Sequence, residues 1–243
     1  MNIQTIILAA GKGTRMNSAL PKVLVGLSGK PLIQHLLDNI KPVLVKYLPV
    51  IVVGHKYDLV QSYLGPNFIY AFQEGQFGTA HAAAAGLAKV EAENVLVLYG
   101  DMPFIKAETI AKLAKLHEDS KSLFSMLTTT VPHFEKEYNS FMGFGRIIRD
   151  GSGDLLKIQE LLDASAEEQL IQEVNPGIYL FNTRWLKSQI GEIAKNKHGE
   201  HYLTDVVELA IKKGVAITTA SVNPKEVFGV NTPQQLADAA KML

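Results

Sequence analysis

The sequence predicts an α/β fold with a mostly parallel sheet covered by helices on both faces. Three observations lead to it. Continuous apolar runs of strand length recur, as strands buried on both faces require. Stretches with helical spacing alternate with them. The chain has 243 residues, 47% of them hydrophobic, enough for one large core.

Taken in order, "TIILAA" reads as the first buried strand and "PLIQHLLDNIKPVL" as a helix. "YLPVIVVG" and "FIYAFQ" are the second and third strands. "TAHAAAAGLAKV" is a strong helix former, because alanine costs least in a helix. "NVLVLYG" is the fourth strand, "AETIAKLAKLHEDS" a helix, and "SLFSMLTTTV" a strand rich in β-branched residues. After about residue 130 the rhythm breaks into short strands, "GRIIRD" and "NPGIYLFN", with a charged stretch "DASAEEQ" between them. Two helices follow ("TRWLKSQIGEIAKN" and "LTDVVELAIKKG"), then a strand, "AITTASVN". A last helix starts at "NTPQQLADAAKML", where Thr232 is the expected cap and Pro233 the first turn. The organisation expected is one domain over 1–231 and a C-terminal helix over 232–243. A Rossmann-like nucleotide half runs to about residue 110, and a second half is laid over it.

Lysine plus arginine equals aspartate plus glutamate at 24 each, so no charge excess argues for nucleic acid or an anionic membrane as partner. Cysteine is absent, which excludes disulfides and thiol chemistry. The first apolar run is too short to span a bilayer and has no basic segment before it. A soluble cytoplasmic protein is expected.

The chemistry starts at "LAAGKGTRMNSALPKVL". In parallel sheets, ligands bind beyond the carboxyl ends of strands, and this loop follows the first strand. Gly11 and Gly13 allow backbone N–H groups close to an anion, and Lys12, Arg15 and Lys22 supply charge. A tight turn with solvated cations would account for a lone GxG equally well. The spacing matches neither a P-loop nor GxGxxG.

"LAAGKGTRM" followed by "PKVL" resembles the signature of sugar-1-phosphate nucleotidylyltransferases. The resemblance runs on through "QEGQFGTAHA", "VLYGDMP", "GFGRI", "IQELLDA", "EVNPGIYLFN", "GEHYLTDVVELA" and "GVNTPQQLA". In this order the motifs look most like the uridylyltransferase domain of bacterial N-acetylglucosamine-1-phosphate uridylyltransferases. The resemblance implies a GT-A-like nucleotidyltransferase fold with a sugar-binding lobe. It also implies transfer of UMP from UTP to N-acetylglucosamine 1-phosphate with Mg2+.

By that resemblance Arg15 and Lys22 face the phosphates as catalytic residues. Leu8, Ala9, Ala10, Gly11, Gln73, Gly78 and Thr79 bind the nucleotide, and a glutamine amide suits a uracil edge. Thr79 is equally placed to be an ordinary helix cap. Asp101 follows a buried strand and a glycine, a natural place for a magnesium ligand, and Asn231 is its implied partner. Gly145, Glu160, Asn175, Tyr202 and Thr204 are the implied sugar-binding residues. Leu162 stands where the family commonly has lysine, and Pro176 follows Asn175 where a threonine-like residue is usual. "HFEKEYNSFM" also differs from the family's shorter linker. These departures leave open another sugar 1-phosphate or dTTP, or a silent nucleotide-binding module. His198 and His201 are expected at the surface or in the sugar pocket rather than on a metal. His35 and His81 are expected to be packed or half-exposed, and Trp185 to be core. A monomer without acetyltransferase activity is expected.

Overall fold

A computed structural model describes residues 2–197 and 199–243. The strands and helices among them are, in chain order, β1 (Ile3–Leu8), β2 (Gly26–Leu27), β3 (Lys30–Pro31), α1 (Leu32–Ile40), β4 (Val50–Val53), α2 (Tyr57–Leu64), β5 (Ile69–Phe72), α3 (Thr79–Leu87), β6 (Asn94–Tyr99), α4 (Ala107–Asp119) and β7 (Phe124–Thr130). They continue with β8 (Gly145–Arg149), β9 (Leu155–Gln159), α5 (Ala166–Gln169), β10 (Glu173–Asn175), β11 (Tyr179–Asn182), α6 (Thr183–Gln189), α7 (Val206–Lys212), β12 (Ile217–Ser221) and α8 (Pro233–Ala240).

One sheet of ten strands runs in the order β5-β4-β1-β6-β11-β7-β10-β8-β9, with β12 beside β7. The β5-β4-β1-β6 part is parallel. Ile6 and Ile7 on β1, all of β4, and Val95 to Leu98 on β6 are buried on both pleat faces. That is why their sequence is uniformly apolar rather than alternating. Two apolar layers cover the faces: α1 and α4 share one, and α3, α6 and α7 the other. Beyond β6 the pairing changes. β11 lies antiparallel to both β6 and β7, and β10, β8 and β9 continue antiparallel, while β12 runs parallel to β7.

Two consequences place the site. The chain builds outward from β1 through β4 to β5, then returns to lay β6 on the other side of β1. The carboxyl ends of β1 and β6 therefore flank a topological switch point, where ligands bind in such sheets. Because β11 is antiparallel to β6, with Tyr179 opposite Val97, the turn before β11 arrives at those same carboxyl ends.

The expected "NPGIYLFN" strand divides into β10 and β11. The Asn175 side chain accepts from the Gly177 N–H at 2.9 Å and forms a turn between them. The "DASAEEQ" stretch holds the short α5, closed by a capping box between Ser165 and Glu168. Thr232 caps α8 as expected, accepting from the Gln235 N–H. Trp185 is partly buried against Phe124 and Phe181. Among the described residues no helix is long and apolar enough to cross a membrane.

Helix α3 lies so close to the sheet that only glycine fits at position 86. A Cβ there would stand 2.8 Å from side-chain methyls of both Ile6 and Val52. Gly86→Val should lower the unfolding free energy by ~1–3 kcal/mol through overpacking. Denaturant titration checks this, the expected result being a lower midpoint at unchanged slope.

Candidate active site

The loop after β1 is pinned by its apolar residues. Met16, Val23 and Leu24 are buried, while Gly11, Lys12 and Arg15 stay exposed. Two short 3-10 turns, Thr14–Met16 and Lys22–Leu24, fold the loop back on itself. Gly13 sits at the fold with φ +63°, and a Cβ on it would stand 2.6 Å from the Lys22 Cβ. The position requires glycine both for its backbone and for the approach of Lys22.

Lys22 is the meeting point of three distant segments. Its ammonium donates to Asp101 Oδ2 at 2.5 Å and to Asn231 Oδ1 at 2.8 Å. Arg15 also donates to Asn231 Oδ1, at 3.4 Å. Asp101 lies just past β6, whose end is held to β1 by the Gly100 N–H on the Leu8 carbonyl. The C-terminal segment comes back to it: the Val230 N–H donates to the Asp101 carbonyl at 3.0 Å. Asn231 is then fixed by its own N–H on Gln235 Oε1, at the capped start of α8. Asp101 and Asn231 thus present a carboxylate and an amide oxygen to one point. That donor set suits a magnesium ion, which takes few protein oxygens and keeps the rest for water and phosphate.

Two clefts meet here. One, of about 240 Å³, is lined by Leu8 to Gly11, Gln73, Gln76, Gly78 and Thr79. The other, of about 270 Å³, is lined by Phe144, Gly145, Glu160, Asn175, Pro176 and Thr204, with Asn231 at its edge. Lys22, Tyr99 and Asp101 line both.

In the first cleft Gln73 donates both ways from its amide nitrogen, to the Gly78 carbonyl and to His81 Nδ1, each at 3.1 Å. Its Oε1 is the group left for a ligand. The side chain of Thr79 caps nothing: its Oγ1 accepts from the Leu203 N–H at 2.9 Å and ties α3 to the second half of the chain. Gly78 is forced by the same junction, since a Cβ would collide with the backbone of His201. In the second cleft Glu160 Oε1 accepts from the Thr204 hydroxyl at 2.9 Å. Burial pushes the Glu160 carboxyl up, with the Thr204 hydrogen bond pulling against it. Asn175 spends one N–H on the Tyr179 hydroxyl at 2.6 Å and one lone pair on Gly177, keeping one of each.

Tyr202 lines neither cleft. It opens the Leu203–Asp205 turn, in which Thr204 faces the cleft. Leu162 is 75% exposed and also lines neither, whereas Pro176 lines the second. His198 lies outside the described residues, and His201 Nδ1 pairs with the Ile193 carbonyl at 2.7 Å. His35 and His81 are half-buried in α1 and α3.

Sequence reasoning missed Tyr99, Gln76 and Arg146. Tyr99 sits at the junction, and burial pushes its phenol well up. Gln76 holds the loop before α3 over β1 by donating to the Ala10 carbonyl at 3.0 Å. Its place between two glycines in "EGQFG" was the available signal. Arg146 is wholly buried beneath the second cleft and is held by the carbonyls of Met142, Phe144 and Gln169, over the Phe134 ring. Nothing in the sequence around it announces that role.

Comparison with known proteins places the chain in a family. The family model described as "MobA-like NTP transferase domain" matches residues 5–192. "Bifunctional protein GlmU" of Brevibacillus brevis is 39% identical over 98% of this chain and 50% of that protein. The protein of the same name from Clostridioides difficile is 40% identical over 100% of this chain and 52% of that protein. The chain therefore spans about half the length of the curated relatives it matches. Among solved structures, a putative glucose-1-phosphate thymidylyltransferase from Bacillus anthracis superposes with a TM-score of 0.77 at 22% identity, over 99% of this chain and 94% of that one. A CMP:2-keto-3-deoxy-manno-octonic acid synthetase complexed with CTP gives 0.70 at 18% identity, over 100% and 98%. At those identities the likeness concerns the fold.

Asp205, next to Thr204, offers a pH test of this wall. Burial, then Glu208 and Glu160, push its carboxyl from 3.8 up to about 6, while His201 and Lys212 pull the other way. The folded chain holds the proton more tightly than the unfolded chain. The resulting stabilisation is complete below about pH 4 and is lost as pH rises through about 6. Asp205→Asn should remove that loss. The stability difference between wild type and variant, measured by denaturant titration, should shift in favour of the variant from pH 4 to pH 7.

Proposed function

The chain belongs to the MobA-like NTP transferase domain family, and on that premise we propose that it transfers UMP from UTP to N-acetylglucosamine 1-phosphate, giving UDP-N-acetylglucosamine and pyrophosphate. The observation that carries the reading is the junction at Lys22, Tyr99 and Asp101, where two clefts share one wall. A nucleoside triphosphate in the first cleft and a sugar phosphate in the second would bring their phosphates to that wall.

The reaction needs little covalent help from protein. A phosphate oxygen of the sugar phosphate attacks the α-phosphorus, and the bond to the bridging oxygen of the β-phosphate breaks. Pyrophosphate leaves with the electron pair, and no proton has to move. Positioning and charge neutralisation do the rest. Backbone N–H groups of Gly11 to Gly13 and the cations Lys12 and Arg15 would hold the triphosphate. Lys22 would meet charge at the reacting phosphorus. Asp101 and Asn231 would hold Mg2+, which supplies charge neutralisation between the two phosphate groups. Gln73 Oε1, an acceptor, matches a base that donates at N3, as uracil and thymine do and cytosine does not. Glu160, Thr204 and the free half of the Asn175 amide would read sugar hydroxyls and the acetamido group. Pro176 is the departure that bears on the sugar, because it lines that cleft and Leu162 does not.

Pyrophosphate release across a panel of triphosphates and sugar 1-phosphates tests the reading. The highest rate is expected for UTP with N-acetylglucosamine 1-phosphate. A higher rate with dTTP and glucose 1-phosphate would keep the chemistry and replace the substrates. Nucleotide binding without turnover for any pair would favour a binding module.

Lys22→Ala should lower kcat by roughly a hundredfold, the ~3 kcal/mol that one well-placed charged donor supplies to a transition state. A raised KM for UTP at unchanged kcat would instead assign Lys22 to ground-state binding. Asp101→Asn, nearly isosteric, should abolish most turnover at millimolar magnesium while leaving the circular dichroism spectrum intact.

A further inference from the structure

The Lys22 ammonium occupies the point at which the Asp101 and Asn231 oxygens converge. We infer that Lys22 is the resident cation of this site, that a divalent ion entering between Asp101 and Asn231 must expel it, and that the expelled ammonium is thereby delivered to the phosphate cleft. The inference rests on the reading of Asp101 and Asn231 as cation ligands and adds an exchange step to it.

Geometry makes the two cations mutually exclusive. The ammonium stands 2.5 and 2.8 Å from the two oxygens. A magnesium ion would need ~2.1 Å from each, so the oxygens have only a few tenths of an ångström to move to reach it, but it would overlap the nitrogen. Repulsion between a divalent ion and an ammonium at contact adds to the overlap.

Charge explains why a placeholder is needed. Asp101 is 7% exposed, and the pair's side chains are 9% and 19% exposed for Asp101 and Lys22. A carboxylate that deep needs a countercharge. Lys22 supplies it from a stem that packs at its base against Gly13, and rotation about the outer side-chain bonds would carry the ammonium off without moving that base. Lys22 and Asp101 both line the first cleft, so an ammonium displaced from between Asp101 and Asn231 would still stand in the wall of that cleft. Metal loading and arming of the lysine become one event, and the metal-free enzyme keeps its charge balanced.

Binding of Mn2+ to the nucleotide-free chain, followed by electron paramagnetic resonance, tests the exchange without substrate. Lys22→Met should bind Mn2+ at least ~10-fold tighter than wild type, because a competing charge at contact has been removed. Asp101→Asn should lose the site, and Lys30→Met, which removes a surface lysine paired with Asp38, should behave as wild type. Affinity in Lys22→Met equal to or weaker than wild type, or binding by neither, would overturn the proposal. Should that variant not fold, wild type suffices. Saturating Mg2+ should raise the acylation rate of Lys22 over that of Lys30, read by peptide mass spectrometry, and an unchanged ratio would overturn it. A chain that turns over no sugar phosphate could still show the exchange, and an active enzyme could lack it. The two failures are therefore distinct.

Discussion

One ammonium group joins three distant segments of the chain at the site. Lys22 draws Asp101 from the end of β6 and Asn231 from the approach to α8 to one point beneath the opening loop. A carboxylate as little exposed as Asp101 is tolerable only with a partner of opposite charge. The rest of the arrangement serves that meeting. Gly13 makes room for the lysine stem, Gly100 locks β6 to β1, and the Val230 N–H brings the C-terminal segment onto the Asp101 carbonyl.

The parallel half was legible because its signal is local. A strand buried on both faces must be apolar along its buried centre, and "IIL" in the first strand and "VLVL" in the fourth are. The antiparallel half was only partly legible. Its strands are short, and β10 and β11 are separated by a turn that depends on one side chain, that of Asn175. Helix α2 and the Gly26–Leu27/Lys30–Pro31 hairpin escaped notice, the first because it is short and only Val60 of it is buried.

The site divides in the same way. Of the motif-borne candidates named from the chain alone, Lys22, Gln73 and Asp101 line the clefts, whereas Arg15 lines neither and reaches the junction only through Asn231. Tyr99 and Arg146 could not be named that way, because their importance lies in what surrounds them. Arg146 in particular stands in "GFGRI" with nothing around it to mark it, yet it is wholly buried and fixes the backbone beside Gly145 through carbonyl oxygens. Tyr202 was expected beside the sugar. Tyr202 is the extended residue that precedes the Leu203–Asp205 turn, and it is Thr204 within that turn that lines the cleft.

The seam between β6 and β11 carries a mechanical consequence. Tyr179 to Asn182 pair with Val97 to Asn94 across what would otherwise be an interdomain boundary. The two halves share one hydrogen-bonded sheet, and the Leu203 N–H on Thr79 rivets them again on the other side. The two clefts are thus built on one hydrogen-bonded sheet rather than on two bodies joined by a linker. The most exposed border of the site is the loop from Gly11 to Leu20, held underneath by Met16. Whatever spans the two clefts therefore lies against one unbroken sheet on one side and an exposed loop on the other.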